Sequence, residues 1–208
     1  MKSIKIIFPL LLALGLLSSC TGTRMLDTWA NESYQPQEQA EKIAVLTLHP
    51  RLDVRKAQQA YLIEVLEKEG YATVGGLELF SPEFEPTAAN LPQVQQKLLA
   101  EGVDRVLTVS LLDTERSEVY MPGQVNSVPR MFFNPFGGYF FQTWQQVYQP
   151  GYYREDVDVI LETKLFDAET GQLIWTGQSS TPQVSNTKAF AKDVARGLLQ
   201  ALNQDRVL

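Results

Sequence analysis

Cys20 is the residue of this sequence whose chemistry and position are most informative. It is the only cysteine among 208 residues, and two small serines come directly before it. Two lysines stand near the start of the chain, and residues 6–17 then form an apolar run without a charge. As a helix this run would span about 18 Å, which is too short for the ~30 Å hydrocarbon core of a bilayer. The pattern therefore predicts a signal peptide over residues 1–19 and not a membrane-spanning helix.

Residues 17–20 read Leu-Ser-Ser-Cys, which resembles the lipobox of bacterial lipoproteins. The resemblance implies that the sulfur of Cys20 forms a thioether with a diacylglycerol and that cleavage makes Cys20 the N-terminus. An ordinary secretory signal with a free cysteine is the alternative interpretation. Because each buried methylene contributes ~0.8 kcal/mol, two or three acyl chains such as palmitate hold a protein stably on a membrane.

The residue after the cysteine bears on the choice of membrane. By resemblance to enterobacterial lipoprotein sorting, a residue other than Asp at this position favours the outer membrane, and Thr21 meets that condition. We therefore expect a lipid anchor in the outer membrane with the folded domain in the periplasm, and the inner membrane is the less favoured location. The polar stretch over residues 20–41 predicts a tether between lipid and domain.

Composition restricts the classes of function. Removal of the two N-terminal lysines lowers the number of basic residues from 18 to 16, against 24 acidic ones, so the mature chain carries about −8. An acidic chain is a poor ligand for nucleic acid, and we expect no nucleic-acid partner. Once Cys20 is acylated, no cysteine remains for a disulfide, a redox pair or a thiolate metal site. The sequence carries no cofactor signature, so we expect neither a cofactor nor a bound metal.

The rest of the chain predicts a single α/β domain over residues 42–208. Helices between the early strands favour parallel pairing, and the turn Ala-Glu-Thr-Gly before residue 172 indicates an antiparallel C-terminal hairpin. The expected fold class is therefore α/β, a mixed sheet with helices packed on it. The predicted elements are a strand at 43–48, a helix at 54–69 with Asp53 as its N-cap, a strand at 71–79 broken at Gly75 and Gly76, a helix at 92–101, strands at 103–120, 156–167 and 172–180, and a helix at 187–203 with Phe190, Val194, Leu198 and Leu202 as its apolar stripe.

Three stretches carry a resemblance to known envelope proteins. They are KIAVLTL at 42–48, EGVDRVLTVSLLD at 101–113 and LFDAETGQLIWTG at 165–177, followed by a C-terminal helix. This layout resembles the small α/β domain of LpoB, the periplasmic region of CsgG and the N-terminal domain of TolB, and also uncharacterised bacterial lipoprotein families. These relatives bind partners or assemble, so the resemblance implies binding and transfers no catalytic residue.

Residues 120–153 form an insertion rich in aromatic side chains. They hold eleven of the chain's 21 aromatic residues and a single charged residue, Arg130. One interpretation is a folded flap or an extended hairpin that continues the two long strands. The other is an exposed apolar surface for a partner, for self-association or for contact with the bilayer. The second interpretation places partner-binding residues at the centre of the insertion, namely Phe132, Phe133, Phe136, Tyr139, Phe140, Phe141 and Trp144.

Together these observations favour a lipid-anchored envelope accessory protein that is not an enzyme. It would bind an envelope protein, or a second copy of itself, at the periplasmic membrane surface. The first alternative is a self-assembling secretion or envelope component of the CsgG type. The second is a hydrolase that uses His49, the only histidine, with nearby acids, and it predicts a pocket at the end of the first strand.

Overall fold

The computed structural model describes residues 22–34, 42–84, 87, 90–134, 139–183 and 186–208. These residues divide into two compact units, of which the second is Glu115–Asp158 and the first comprises the described residues on either side of it. In chain order the elements are β1 (Arg24–Ala30), β2 (Lys42–Leu48), α1 (Leu52–Lys68), β3 (Ala72–Gly75), α2 (Gly76–Leu79), α3 (Leu91–Ala100), β4 (Arg105–Met121), β5 (Gln124–Asn134), β6 (Tyr139–Gln149), β7 (Tyr152–Asp167), β8 (Leu173–Pro182) and α4 (Thr187–Gln204).

The principal sheet has six strands in the order β1-β8-β7-β4-β2-β3. Strand β2 pairs in parallel with both β3 and β4, as expected for strands that are linked through helices. At the other end of the sheet β1 pairs antiparallel with β8. The predicted fold class, a mixed α/β sheet with helices packed on it, is confirmed.

Apolar side chains cover both faces of the sheet. On β2, Ile43 and Val45 contribute to the larger cluster, which also contains side chains of α1 and α4. The intervening Ala44 contributes to a second cluster with residues of α2 and α3. Alternate residues of a strand point to opposite faces, so burial on both sides explains the nearly continuous apolar run of β2. The indole of Trp175, also in the larger cluster, is fully buried and donates from Nε1 to Asp205 Oδ2 at 2.7 Å.

Strand β1 was not expected from the sequence. The polar tether predicted over 20–41 is wrong for 24–30, because this segment pairs with β8 from Arg24, opposite Ser180, to Ala30, opposite Trp175. Most β1 side chains are exposed, since the strand lies at the edge of the sheet. Backbone hydrogen bonds to β8 therefore hold β1 in place without the apolar alternation that would identify a strand in the sequence.

Two local predictions around α1 and β3 need correction. The N-cap of α1 is Arg51, and Asp53 lies in the first turn, where its carboxylate binds the Arg51 guanidinium at 2.6 Å. The strand predicted over 71–79 ends at Gly75, and α2 follows it. The side chain of Gln59 accounts for this change, because its Oε1 accepts a hydrogen bond from the backbone N–H of Leu77 at 3.0 Å.

The contact between α4 and the residues before β1 gives a prediction for stability. A Cβ added at Gly197 would lie 2.8 Å from both Cβ and Cγ2 of Thr23. In a helix exposed to solvent Gly→Ala would stabilise by about 1 kcal/mol, whereas here we expect Gly197→Ala to lower the free energy of unfolding by ~1–3 kcal/mol through overpacking. Chemical denaturation measures the change, and Gln200→Ala on the exposed side of the same helix is the control.

A second background shows whether Thr23 causes the loss. In a Thr23→Gly chain both clashing atoms are absent, so adding Gly197→Ala should no longer destabilise. A loss of equal size in both backgrounds would contradict the packing of Thr23 against α4.

Candidate functional site

The second unit contains a two-stranded antiparallel sheet made of β5 and β6. The strands pair over eleven residues each, from Gln124 opposite Gln149 to Asn134 opposite Tyr139. Side chains that oppose each other in this register lie on the same face of the sheet. The insertion predicted over 120–153 thus contains a hairpin, but β5 and β6 form a sheet of their own and do not extend the sheet of the two long strands, as the first interpretation of the sequence had it.

One face of this hairpin carries exposed apolar and aromatic side chains. Val125 is opposite Tyr148 and Pro129 is opposite Trp144, and the even spacing of these pairs places all four on one face. The exposed fractions of Val125, Tyr148 and Trp144 are 59%, 68% and 65%. We call these four residues the hairpin face. Side chains this exposed contribute little to the stability of the unit and are available for contact.

The predicted partner-binding residues are located only in part. Trp144 lies on the hairpin face, as the second interpretation requires. Phe132 pairs in backbone register with Phe141, and Phe133 pairs with Phe140. Tyr139 is the first residue of β6, whereas Phe136 and the side chains of residues 130–143 lie outside the described part of the structure. Their role in binding stays a prediction.

Charged residues occur in the second unit outside the hairpin face. Arg116 Nε lies 3.6 Å from Glu155 Oε1. The guanidinium of Arg154 forms a bidentate ion pair with the carboxylate of Asp156, with N–O distances of 2.8 and 3.0 Å. These pairs are solvent-exposed and contribute little to stability. The described side chains of the hairpin itself, at 124–129 and 144–149, carry no charge. This neutral surface offers neither attraction nor repulsion to charged partners, so recognition by it rests on apolar and hydrogen-bonding contact.

His49 lies just after β2, where the hydrolase hypothesis predicts a pocket. Its Nδ1 accepts a hydrogen bond from the backbone N–H of Arg51 at 3.0 Å, which places the proton of the neutral ring on Nε2. The Asp53 carboxylate is bound to the Arg51 guanidinium. The only His49 hydrogen bond seen in the described part of the structure is therefore to backbone, not to an acid.

A depression does lie beside the end of β2, but it is small and apolar. Its volume is about 30 Å³. Its walls include Leu46, Phe80 and Phe84, and His49 is not among its lining residues. Within the residues that the structure describes, no three His, Cys, Asp or Glu side chains converge as a metal site requires. Every helix in the same residues is too short or too polar to traverse a bilayer.

Cys20 lies outside the described residues, which begin at Gly22. Gly22 is close to Asp193 of α4, since a Cβ at Gly22 would be 3.2 Å from Asp193 Oδ2. Thr23 is buried, and its Oγ1 lies at hydrogen-bond distance, 2.9 Å, from Thr181 Oγ1. The chain is thus part of the first unit from Gly22 onward.

Comparison with known proteins gives structural matches only. No protein-family model matches the chain, and no match is found among curated proteins. The PelC dodecamer from Paraburkholderia phytofirmans matches with 10% identity and a TM-score of 0.44, covering 85% of this chain and 94% of that one. Lipoprotein GNA1162 from Neisseria meningitidis matches with 18% identity and a TM-score of 0.42, covering 78% and 99%. A PDZ domain protein from Parabacteroides distasonis matches with 10% identity and a TM-score of 0.38, covering 87% and 36%.

A bacterial lipoprotein is therefore among the solved structures that this chain resembles. The TM-scores below 0.5 give these matches no weight in an argument about function. The resemblance to LpoB, CsgG and TolB stays a prediction from the sequence.

The environment of His49 predicts its titration. Burial of the ring lowers the pKa of His49 from its ordinary value of 6.5, because desolvation disfavours the imidazolium form. The folded pKa is below the unfolded one, so the contribution of this group to stability is present above about pH 6.5 and is lost as the pH falls through the folded pKa. The single histidine makes one set of imidazole NMR resonances sufficient to measure the value.

The matched variant is His49→Asn, whose Oδ1 can accept the same hydrogen bond from Arg51. Its free energy of unfolding should fall less steeply than that of the parent chain as the pH drops below about 6.5. A titration at or above pH 6.5 would show that the ring is not desolvated in the way the structure indicates.

Proposed function

We propose that the chain is a lipoprotein anchored through Cys20 to the periplasmic face of the outer membrane, where its hairpin face binds an envelope protein. The single observation that carries the binding role is the exposure of Val125, Trp144 and Tyr148 on one neutral face. Aromatic side chains supply large contact areas at low entropic cost, which is why binding surfaces favour them. The anchor is supported by the lipobox-like residues 17–20.

Anchoring contributes to binding through concentration. A protein confined to a leaflet meets its partners at a high effective concentration, so a weak contact can be occupied. Among the described side chains of the hairpin, Val125, Trp144 and Tyr148 of the hairpin face are available for such a contact. We therefore assign the protein a binding role and give no residue a catalytic role.

Self-assembly is a second candidate function, and one observation favours it. In the described sheet of the second unit, β5 and β6 each have one strand neighbour, so the outer edge of each strand has no partner strand. Natural proteins protect such edges with charges, and the described hairpin side chains at 124–129 and 144–149 include none. A second copy could add its own strand to either edge.

Site-specific crosslinking in intact cells of the native host tests the proposal. A photo-crosslinking amino acid at position 144 should give one discrete adduct, and the same amino acid at position 99, which is 43% exposed on α3, should give none. The variant Cys20→Ser should carry no lipid and should leave the membrane. The amount of its adduct should fall at least ~100-fold because its effective concentration at the membrane is lower.

The mass of the adduct distinguishes the two candidates. A mass near twice that of the mature protein indicates self-assembly, and any other discrete mass indicates an envelope partner. Absence of an adduct at both 144 and 148, with the lipidated protein present in the membrane, would contradict the binding role of the hairpin face.

A further inference from the structure

The described residues begin at Gly22, and this limits the distance between Cys20 and the first unit. Consecutive Cα atoms are 3.8 Å apart, so the Cα atom of Cys20 lies at most about 7.6 Å from that of Gly22. Gly22 itself is close to Asp193 on α4, and Thr23 contacts Gly197 one turn further along that helix. A lipid on Cys20 would therefore be attached only two residues before the part of the chain that lies beside α4.

Helix α4 carries an unusual charge pattern for an acidic protein. The whole chain has a formal net charge of −6, whereas α4 has three cations and one acid. Lys188, Lys192 and Arg196 follow each other at intervals of four residues, which places them in one stripe along the helix. All three are exposed, whereas the apolar residues on the sheet-facing side of the helix are buried. We call these three residues the α4 stripe.

The charges of the α4 stripe are not neutralised by close ion pairs in the described part of the chain. Asp193 is the one acid of the same helix and is close to Gly22, and Glu64 of α1 is an acid on which Lys192 and Arg196 act electrostatically. Lys192 and Arg196 lower the pKa of Glu64 only as minor contributors, because its hydrogen bond to Lys68 at 2.5 Å is the main cause. The stripe thus presents its positive charge to the surroundings.

From this arrangement we infer that the α4 stripe is a membrane-contact surface. Its occupant is the phosphate layer of anionic lipids in the leaflet that holds the lipid on Cys20. Two independent observations lead here: the attachment point is only two residues before the part of the chain that lies beside α4, and the sign of the stripe is opposite to that of anionic headgroups. Each cation near an anionic surface strengthens association about fivefold. The inference rests on the proposed lipidation of Cys20.

Chemical coupling makes the test independent of lipidation in the cell. The mature chain from residue 20 has a single thiol, so it can be joined through Cys20 to a maleimide lipid in preformed vesicles. One set of vesicles contains phosphatidylcholine with a quarter of phosphatidylglycerol, and the other contains phosphatidylcholine alone. Brief acetylation followed by mass spectrometry then measures how fast each lysine reacts.

On the anionic vesicles we expect Lys188 and Lys192 to react about fivefold more slowly than in the uncoupled chain. The internal control is Lys97 on α3. This helix packs on the face of the sheet opposite to α4, so the acetylation rate of Lys97 should not change. On neutral vesicles the slowing of Lys188 and Lys192 should be weaker. Dissolved glycerol phosphate without vesicles should protect neither.

Three results would overturn the inference. The first is equal slowing of Lys97 and the stripe lysines, the second is no slowing on anionic vesicles, and the third is full protection by glycerol phosphate alone, which would indicate a soluble anion as the ligand. Because coupling is chemical, these results do not depend on the natural anchor. Conversely, absence of lipid on Cys20 in the cell would remove the proposed function and leave the measured protection unchanged.

Discussion

The pairing of β1 with β8 determines how close Cys20 must stay to the first unit. It incorporates the chain into the sheet from Arg24, and Thr23 before it is already buried. A flexible chain over the whole of 20–41 would allow a root-mean-square separation of about 25 Å between anchor and domain. With the sheet beginning at Arg24, the four steps from Cys20 span at most about 15 Å. A lipid on Cys20 would therefore hold the first unit close to its leaflet.

The two units differ in the kind of surface that they expose. The first unit has a core on both faces of its sheet, and α4 combines a buried apolar stripe with an exposed basic one. The side chains described in the second unit are exposed or half-buried, and those on one side of β5 and β6 form the neutral hairpin face. Charge thus accumulates where anionic headgroups are expected, and apolar area is exposed where a protein contact is expected. Under the proposed function, membrane contact and partner contact would thus involve different units.

The sequence predicts the elements with apolar periodicity well. The four residues predicted to form the apolar side of α4, Phe190, Val194, Leu198 and Leu202, are all buried. Apolar periodicity does not identify the edge strand β1, because backbone hydrogen bonds, and not a buried face, hold it in the sheet. The N-cap prediction at Asp53 fails because that carboxylate binds Arg51 instead. In the insertion, composition alone left flap and exposed surface open, since aromatic residues suit both, and only the register of β5 and β6 places Trp144 and Tyr148 on one face.

Neutron reflectometry of the natural protein, reconstituted on a supported bilayer containing phosphatidylglycerol, measures how far the protein stands from the lipid headgroups. We expect protein density that begins at the headgroups, with no intervening water layer wider than about 10 Å, because only a few residues separate lipid and sheet. A water layer of about 25 Å, as a flexible tether over 20–41 would give, would contradict it. Failure of the natural protein to remain on the bilayer would contradict the lipid anchor itself.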